Sequence, residues 1–374
     1  MVCSSQQLAP AELAESFENG GRLMIEQVVI ENFRCFQYLK VSGLKRMNVI
    51  VGRNSSGKSS FLEALFLSSG SNAANISFQM RAIRRLGTLI QAPNDPRGYE
   101  SLWEDLFHDF DINSTISIEI VGKQAENRRL WISFLENSMS EIQFGKETKT
   151  SLGASQVKFT WKRGKMQPIV SKPTVTSTGL QFGTVPIDFF PVIWFHPNVG
   201  DSADEVGKRY STLSKKGELD PVINALKGEF DFLDDISLEF LSSAPMIFAS
   251  IKGSKVKMPL GLISDGVNRL LAILLGIAYF KGGAILIDQL EDGFYFDRLP
   301  SIWKVLHQFA VDRNCQLFIT THSRECLESM IPTLAGNEDD FVLLRAERQG
   351  TNSTFTSIEG KFLEGALKQG FDPR

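Results

Sequence analysis

The chain has 374 residues, of which 43% are hydrophobic and 22% charged. This is ordinary globular composition, rich enough for a large core and far from a disorder signature. Lys and Arg total 40 against 43 Asp and Glu, a net charge of −3. That excludes a global positive field, so any nucleic-acid contact must come from a local patch. The cysteines Cys3, Cys35, Cys315 and Cys326 form no C-x-x-C pair. They argue for a reducing cytoplasmic setting and against a disulfide framework or zinc site. The longest strongly apolar run, Leu270 to Phe280, falls short of the ~20 residues a membrane helix needs. The N-terminus has no basic region leading into an apolar stretch. The expectation is a soluble intracellular protein with no membrane contact.

Residues 1–23 are polar and read as a loose arm or short helix. From Met24 a β pattern runs through Ile25, Val28, Val29, Ile30, Phe33 and Phe36, followed by β runs at Lys40–Val41 and Met47–Val51. A Gly-rich segment then opens a helical pattern over Ser59–Phe66, the strand–loop–helix start of a parallel α/β sheet. The middle, about 71–257, is turn-rich around Ala92–Pro96. Strands are predicted at Thr115–Val121, Leu130–Phe134, 157–162 and 187–195, then helical character over 201–228. The last third returns to α/β: helix from Asp265 to Phe280, strand Ala284–Asp288, helix from Leu299 to Arg313, strand Gln316–Thr321 and a helix from Arg324. No internal repeat or sustained heptad run is present.

Gly52-Arg53-Asn54-Ser55-Ser56-Gly57-Lys58-Ser59 matches G-x-x-x-x-G-K-[ST]. Such a loop presents successive backbone N–H groups at a helix N-terminus, where the dipole favours anions. Lys58 would reach the β/γ-phosphates of a nucleotide and the Ser59 hydroxyl would ligate Mg²⁺. Ala284–Asp288 is an apolar strand ending in a carboxylate, which a phosphate loop needs nearby to support that Mg²⁺. Leu262 to Arg269 precedes an apolar helix; Ser264 and Asp265 suit an N-cap, and Gly266 permits close approach of another molecule. Gln316–Thr321 is an apolar strand running into His322. Of the four histidines, His108, His196 and His307 are given no role.

In this order the motifs resemble ABC-type ATPases of the RecF/SMC/OLD group, most nearly short OLD-like AAA-family ATPases of bacterial anti-phage defence. The opening Ile25–Phe36 hairpin looks like the group's I-x-N-F-R-x-F. The phosphate loop, Ser-Asp-Gly-x-x-Arg, Ile-Asp-x-x-Glu-Asp-Gly, Thr-Thr-His-Ser and the stretch Glu364–Arg374 complete the match, which covers most of 24–70 and 258–374. The resemblance implies an α/β ABC-type P-loop ATPase with a mixed sheet, an N-terminal antiparallel β subdomain and an inserted middle region. The domain is then discontinuous over 24–374, with 24–70 and 258–374 as nucleotide-binding core and 71–257 inserted.

It also implies roles. Asn54, Ser55, Ser56, Gly57, Lys58, Ser59 and Ser60 wrap the phosphates of ATP. Ser59 and Asp288 hold Mg²⁺. Ser264, Gly266 and Arg269 act on the ATP of a partner in a head-to-tail dimer. His322 senses the γ-phosphate as a hydrogen-bond donor. Relatives place Glu after the strand Asp to activate water; here Gln289 stands there, and an amide orients water but takes no proton. Slow hydrolysis follows, whether the brake is natural or a deliberate Glu→Gln change. Glu291 is an alternative base, placed low because it lies past the strand end; with Asp292 it otherwise reads as a solvated turn. Tyr295 replaces a frequent His, and Gln79 and Gln91 are the candidates for a Q-loop glutamine.

No TOPRIM nuclease or SMC arm follows from the sequence: past His322 about one strand, one hairpin and one short helix are expected, and Glu338-Asp339-Asp340 reads as a solvated turn. The expected function is an ATP-dependent dimeric switch controlling a separate effector, such as a nuclease, in anti-phage defence. A RecF-like DNA-binding ATPase and a non-hydrolysing ATP-dependent scaffold are the alternatives. DNA contact would draw on basic clusters at Arg81, Arg84 and Arg85; Lys123, Arg128 and Arg129; Lys158, Lys162, Arg163 and Lys165 around Trp161; and Lys208, Arg209, Lys215 and Lys216, each otherwise a solvated face.

Overall fold

The computed structural model describes residues 24–84, 99–123, 126–135, 140–144, 147–151, 156–176, 179–186, 188–197, 202–241 and 244–368. The arm 1–23, Ala92–Pro96 and 369–374 lie outside the described residues. In chain order, β1 (Met24–Phe33), β2 (Phe36–Ser42) and β3 (Met47–Val51) lead into helices α1 (Lys58–Leu67) and α2 (Ala73–Ile83). Next come β4 (Ile116–Lys123), β5 (Arg128–Leu135), β6 (Ser140–Phe144), β7 (Glu147–Ser151), β8 (Gln156–Arg163), β9 (Ile169–Ser171), β10 (Thr174–Thr176), β11 (Gly179–Gln181) and β12 (Val192–Phe195). Helices α3 (Ala203–Lys215) and α4 (Asp220–Glu229) precede β13 (Leu233–Leu241), β14 (Ala244–Ile251) and β15 (Met258–Pro259). The chain continues with α5 (Asp265–Tyr279), β16 (Ala284–Ile287), α6 (Leu299–Asp312), β17 (Gln316–Thr320), α7 (Arg324–Glu328) and α8 (Ile331–Leu334). It closes with β18 (Phe341–Gln349), β19 (Asn352–Glu359) and α9 (Gly360–Lys368).

Two six-stranded sheets dominate. The core sheet runs β12-β16-β17-β3-β18-β19. Its first five strands are mutually parallel and β19 returns antiparallel. Every residue of β3, β16 and β17 is buried, as expected where both faces of a parallel sheet are covered. Alternate residues face two different cores. Val49, Val51, Ile285, Ile287, Leu317 and Ile319 pack with α5 and α6. Ile50, Leu286 and Phe318 pack with Phe61, Leu62 and Leu65 of α1 and with the second sheet.

That second sheet, β2-β1-β4-β5-β8-β9, is antiparallel throughout. In β8, Val157, Phe159 and Trp161 are buried while the intervening residues are half-exposed, the alternation of a sheet with one covered face. Buried Gln316 ties the sheets together. Its amide donates to the Ile25 and Lys45 carbonyls at 2.9 and 2.8 Å, and its Oε1 accepts from the Ile25 N–H at 2.8 Å.

The predicted α/β frame holds, with local differences. The stretch expected to be strand over 187–195 is strand only at β12, with Phe189 making a single bridge to Gly70. The helix expected at Arg324 is two short helices, and the last segment is one hairpin plus α9. Of the middle-region strands, β4, β5, β8 and β9 complete the sheet begun by β1 and β2 and β12 forms the edge of the core sheet, while β6-β7, β10-β11 and β13-β14-β15 form small sheets of their own.

Candidate nucleotide-binding site

The phosphate loop spans the gap between β3 and α1 and is wedged between β18 and the β1–β2 turn. Gly52 has φ +143°, and a Cβ there would lie 2.3 Å from the Ala346 carbonyl oxygen. Gly57, at φ +102°, is the N-cap of α1; its Cβ would lie 2.9 Å from Cys35 Sγ and 3.0 Å from the Phe36 ring. Only glycine satisfies both the conformation and the space at these two positions. Asn54 and Ser55 are exposed, Ser56 and Gly57 buried, and Lys58, Ser59 and Ser60 half-buried. Lys58 folds back over the loop, its Nζ donating to the Gly52 and Arg53 carbonyls at 2.7 and 3.0 Å. Burial pulls its pKa down, opposed by the nearby Asp288 and Glu291 carboxylates. Ser56 Oγ is buried without a partner, and the N-cap offers no side-chain acceptor to the first turn of α1. Unpaired donors, a side-chain-free cradle and a lysine held on loop carbonyls fit a polyphosphate.

The carboxylate side of the site follows from strand register. Parallel pairing sets Ile287 opposite Ile319, so Asp288 and Thr320 stand next to each other at the strand ends. Thr320 Oγ1 donates to Asp288 Oδ1 at 2.5 Å and accepts from the Gln289 N–H at 2.9 Å. Gln289 adopts φ +54°, left-handed backbone that costs a non-glycine residue about 1 kcal/mol. Arg269 holds it there: Nη2 donates to the Asp288 carbonyl at 3.0 Å and the Gln289 carbonyl at 2.7 Å. Burial lowers the Arg269 pKa, and Asp292, Glu291 and Asp288 counter it. Arg269, expected to reach a partner's ATP, makes these contacts within its own chain. Gly266 is likewise close-packed within the molecule, since a Cβ would lie 2.6 Å from the Gly293 carbonyl oxygen. Ser264 caps α5, accepting from the Val267 N–H at 3.4 Å.

Two further residues belong here, Glu291, ranked low as an alternative base, and His196. Glu291 is not a solvated turn residue: its side chain is only 13% exposed. Its Oε1 accepts from the His322 backbone N–H at 3.0 Å and lies 3.1 Å from His322 Nδ1. His196, given no role, lies with Nε2 3.9 Å from Asp288 Oδ2, because parallel register aligns Phe195 with Ile287. Burial lowers its pKa against the pull of Asp288. The missed signal was an apolar run, Val192–Phe195, followed directly by a His, much as His322 follows β17 two residues past its end.

His108 and His307 stay outside the site: His108 Nδ1 donates to the Arg34 carbonyl at 2.8 Å, and His307 pairs with Asp340 at 2.8 Å. Gln79 lies on α2; Gln91 is outside the described residues. Among the described residues no group of three or more His, Cys, Asp or Glu converges as a metal centre. A Mg²⁺ here would rest on Ser59, Asp288 and the phosphates themselves, the usual economy of Mg²⁺ sites.

The basic clusters fare unequally. Arg81 and Arg84 are ion-paired inward to Asp105 and Glu63. Trp161 is buried and donates to the Ser68 carbonyl. Arg209 is buried under the Phe280 ring. No helix among the described residues is long and apolar enough to cross a membrane.

Residues 24–174 match the AAA ATPase domain family and 201–328 match the AAA domain family described as putative AbiEii toxin, Type IV TA system. An "ATP/GTP phosphatase" of Helicobacter pylori (strain ATCC 700392 / 26695) is 24% identical over 346 residues, 85% of this chain and 90% of that protein. Structural maintenance of chromosomes protein 6 of Saccharomyces cerevisiae is 34% identical over 71 residues, 19% of this chain and 6% of that much longer protein. The Smc head domain with an extended coiled coil, bound to the C-terminal domain of ScpA derived from Pyrococcus furiosus, superposes with a TM-score of 0.50 at 11% identity, covering 94% of this chain and all of that one. The chain has an SMC-head-like α/β P-loop fold, and its two AAA domain matches support an AAA-type ATPase.

Proposed function

We propose that this chain is an ATP-driven molecular switch that binds MgATP in the 52–60 loop, hydrolyses it slowly and couples nucleotide state to self-association and to a separate effector. The observation that carries this reading is the Thr320 hydroxyl, which joins Asp288 to the backbone of Gln289. Position 289 is thereby aimed by the same group that orients the Mg²⁺-supporting carboxylate, but it bears an amide.

Backbone N–H groups of the loop would receive the phosphates, and Lys58 would exchange two loop carbonyls for β/γ-phosphate oxygens. Mg²⁺ on Ser59 and Asp288 would neutralise charge on the transferring phosphoryl group. Gln289 would hold the attacking water without taking its proton, so ATP stays bound long and the closed state persists. Closure orders elements around the γ-phosphate, a known form of bistability. Self-association finds support in the apolar groups exposed around the α5 N-terminus, Leu262 (81% exposed), Tyr295 (72%) and Phe296 (65%). A head-to-tail dimer would cover them. Effector control in anti-phage defence, in the cytoplasm, rests on the OLD-like resemblance of the motifs, with a separate nuclease as the candidate effector.

A RecF-like DNA contact is favoured by one face. Arg129 stacks over Trp131 on the outer side of β5, with Lys158 and Lys162 on neighbouring β8. Glu119 pairs with Arg129 and reduces its positive field. A third reading, a non-hydrolysing scaffold, predicts ATP-bound oligomers with no turnover. The test is light scattering of the chain with MgATP, with ADP, and of Lys58→Ala with MgATP. The switch requires ATP-specific oligomers that Lys58→Ala loses and that decay as ADP forms. Oligomers indifferent to nucleotide refute it.

A further inference from the structure

Position 289 carries an amide, which orients water but accepts no proton. A carboxylate-backed imidazole stands at the ends of β16 and β17, where it could take the proton that residue 289 does not. Glu291 Oε1 accepts from the His322 backbone N–H at 3.0 Å and lies 3.1 Å from His322 Nδ1. A carboxylate oxygen can only accept, so the second contact is a hydrogen bond when Nδ1 carries the proton. Both contacts converge on one oxygen, which fixes the imidazole relative to its own backbone. The carboxylate is enclosed and the imidazole is half-exposed, with side-chain exposures of 13% and 51%.

We propose that Glu291 and His322 form the proton-accepting pair of this site: Glu291 is a positioning residue that holds the Nδ1–H tautomer, and His322 takes the proton of the attacking water at Nε2. The assignment rests on the chain hydrolysing ATP as read above. It reverses the donor role expected of His322, because a neutral imidazole with its proton on Nδ1 presents a lone pair at Nε2. The arrangement follows the logic of carboxylate–imidazole pairs elsewhere, in which the carboxylate sets tautomer and orientation without itself taking the proton. In the step, the water oxygen bonds to the γ-phosphorus as its proton passes to Nε2. The bond between the γ-phosphorus and the β–γ bridging oxygen breaks, and its electron pair leaves with ADP. The imidazolium then returns the proton to the phosphate.

Two variants of Glu291 separate positioning from direct proton transfer. Glu291→Gln keeps an Oε1 acceptor for Nδ1–H; Glu291→Ala removes it. The first readout is the ¹⁵N spectrum of the full chain labelled at histidine, with His322 assigned through His322→Gln. The Nδ1–H tautomer is expected in the parent and in Glu291→Gln, and a shift toward Nε2–H in Glu291→Ala. The second is single-turnover ATP hydrolysis beside ATP affinity measured with a fluorescent ATP analogue. Glu291→Gln should fall between the parent and Glu291→Ala, because it keeps an acceptor for Nδ1–H but lacks the charge that stabilises the imidazolium. Glu291→Ala and His322→Ala should slow by about 100-fold, the usual scale of general-base loss, with affinity changed less than about threefold. A Glu291→Gln chain as slow as Glu291→Ala with its tautomer intact would make Glu291 the base and overturn the pair. So would a His322→Ala chain hydrolysing at the parent rate, or a parent that holds the Nε2–H tautomer. Failure to bind or hydrolyse ATP would strike the switch reading instead, and the tautomer spectra would still decide the positioning by Glu291.

Discussion

Thr320→Val isolates one hydroxyl with nearly unchanged shape. That hydroxyl donates to Asp288 Oδ1 and accepts from the Gln289 N–H, and Thr320 is fully buried. Losing a hydrogen bond to a charged group costs about 1.5–3 kcal/mol, and stranding a backbone donor about 1–3 kcal/mol more. Gln289 is only half-buried, so its N–H recovers part of that from water. The added methyl returns at most about 0.8 kcal/mol. A net destabilisation of about 2–3 kcal/mol is expected. Thr320→Ser keeps both bonds and loses one buried methyl, about 1 kcal/mol. Urea denaturation of the two variants beside the parent, without nucleotide, reads the difference. Equal stability of Val and Ser variants would refute the bridging role of the hydroxyl, whatever their ATPase rates. If the bridge also aims Asp288, Thr320→Val should raise the Mg²⁺ concentration needed for ATP binding, and Thr320→Ser should not.

Glu63 is fully buried between Arg34 and Arg84. Glu63→Gln leaves two guanidinium groups short of their counter-charge and should cost about 3 kcal/mol or more in the same denaturation assay. Gly266→Ala forces a methyl against the Gly293 carbonyl at 2.6 Å; about 1–3 kcal/mol is expected, with slower hydrolysis because residues 288–293 shift. Among Cys35, Cys315 and Cys326, burial pushes the Cys315 thiol up to about 11 and the Cys326 thiol up to about 12. At pH 8 their thiolate fractions are roughly 10⁻³ and 10⁻⁴, so maleimide mapped by mass spectrometry should label Cys35 first. Cys35 Sγ borders the space above Gly57, so bound ATP should slow that labelling.

The phosphate loop and the strand ends were legible because their chemistry is local. Consecutive residues Gly52–Ser59 form one turn, and Asp288 and His322 close apolar runs that β16 and β17 bear out. What stayed hidden depends on strand order. His196 lies 92 residues before Asp288 in the chain, and only the parallel register of β12 with β16 sets them side by side. Glu291 was misread because residues past a strand end usually face water; here the chain turns back and its carboxylate caps the His322 backbone. For Arg269 and Gly266, expected at a partner's nucleotide, what stayed hidden is the set of neighbours within the chain, the carbonyls of Asp288, Gln289 and Gly293. The outward basic clusters were partly illusory for the same reason: Arg81, Arg84 and Arg209 are turned inward by partners far away in sequence.

On the proposed reading, an intact hydrolytic site is slowed at position 289. Single-turnover hydrolysis of MgATP by the parent chain and by Gln289→Glu, with ATP affinity measured on both, tests it most directly. Equal affinity is predicted, with the Glu chain faster by tenfold or more, about 1.4 kcal/mol of barrier. Equal rates in two chains that both bind ATP would contradict it and leave ATP as a ligand that holds an assembly together.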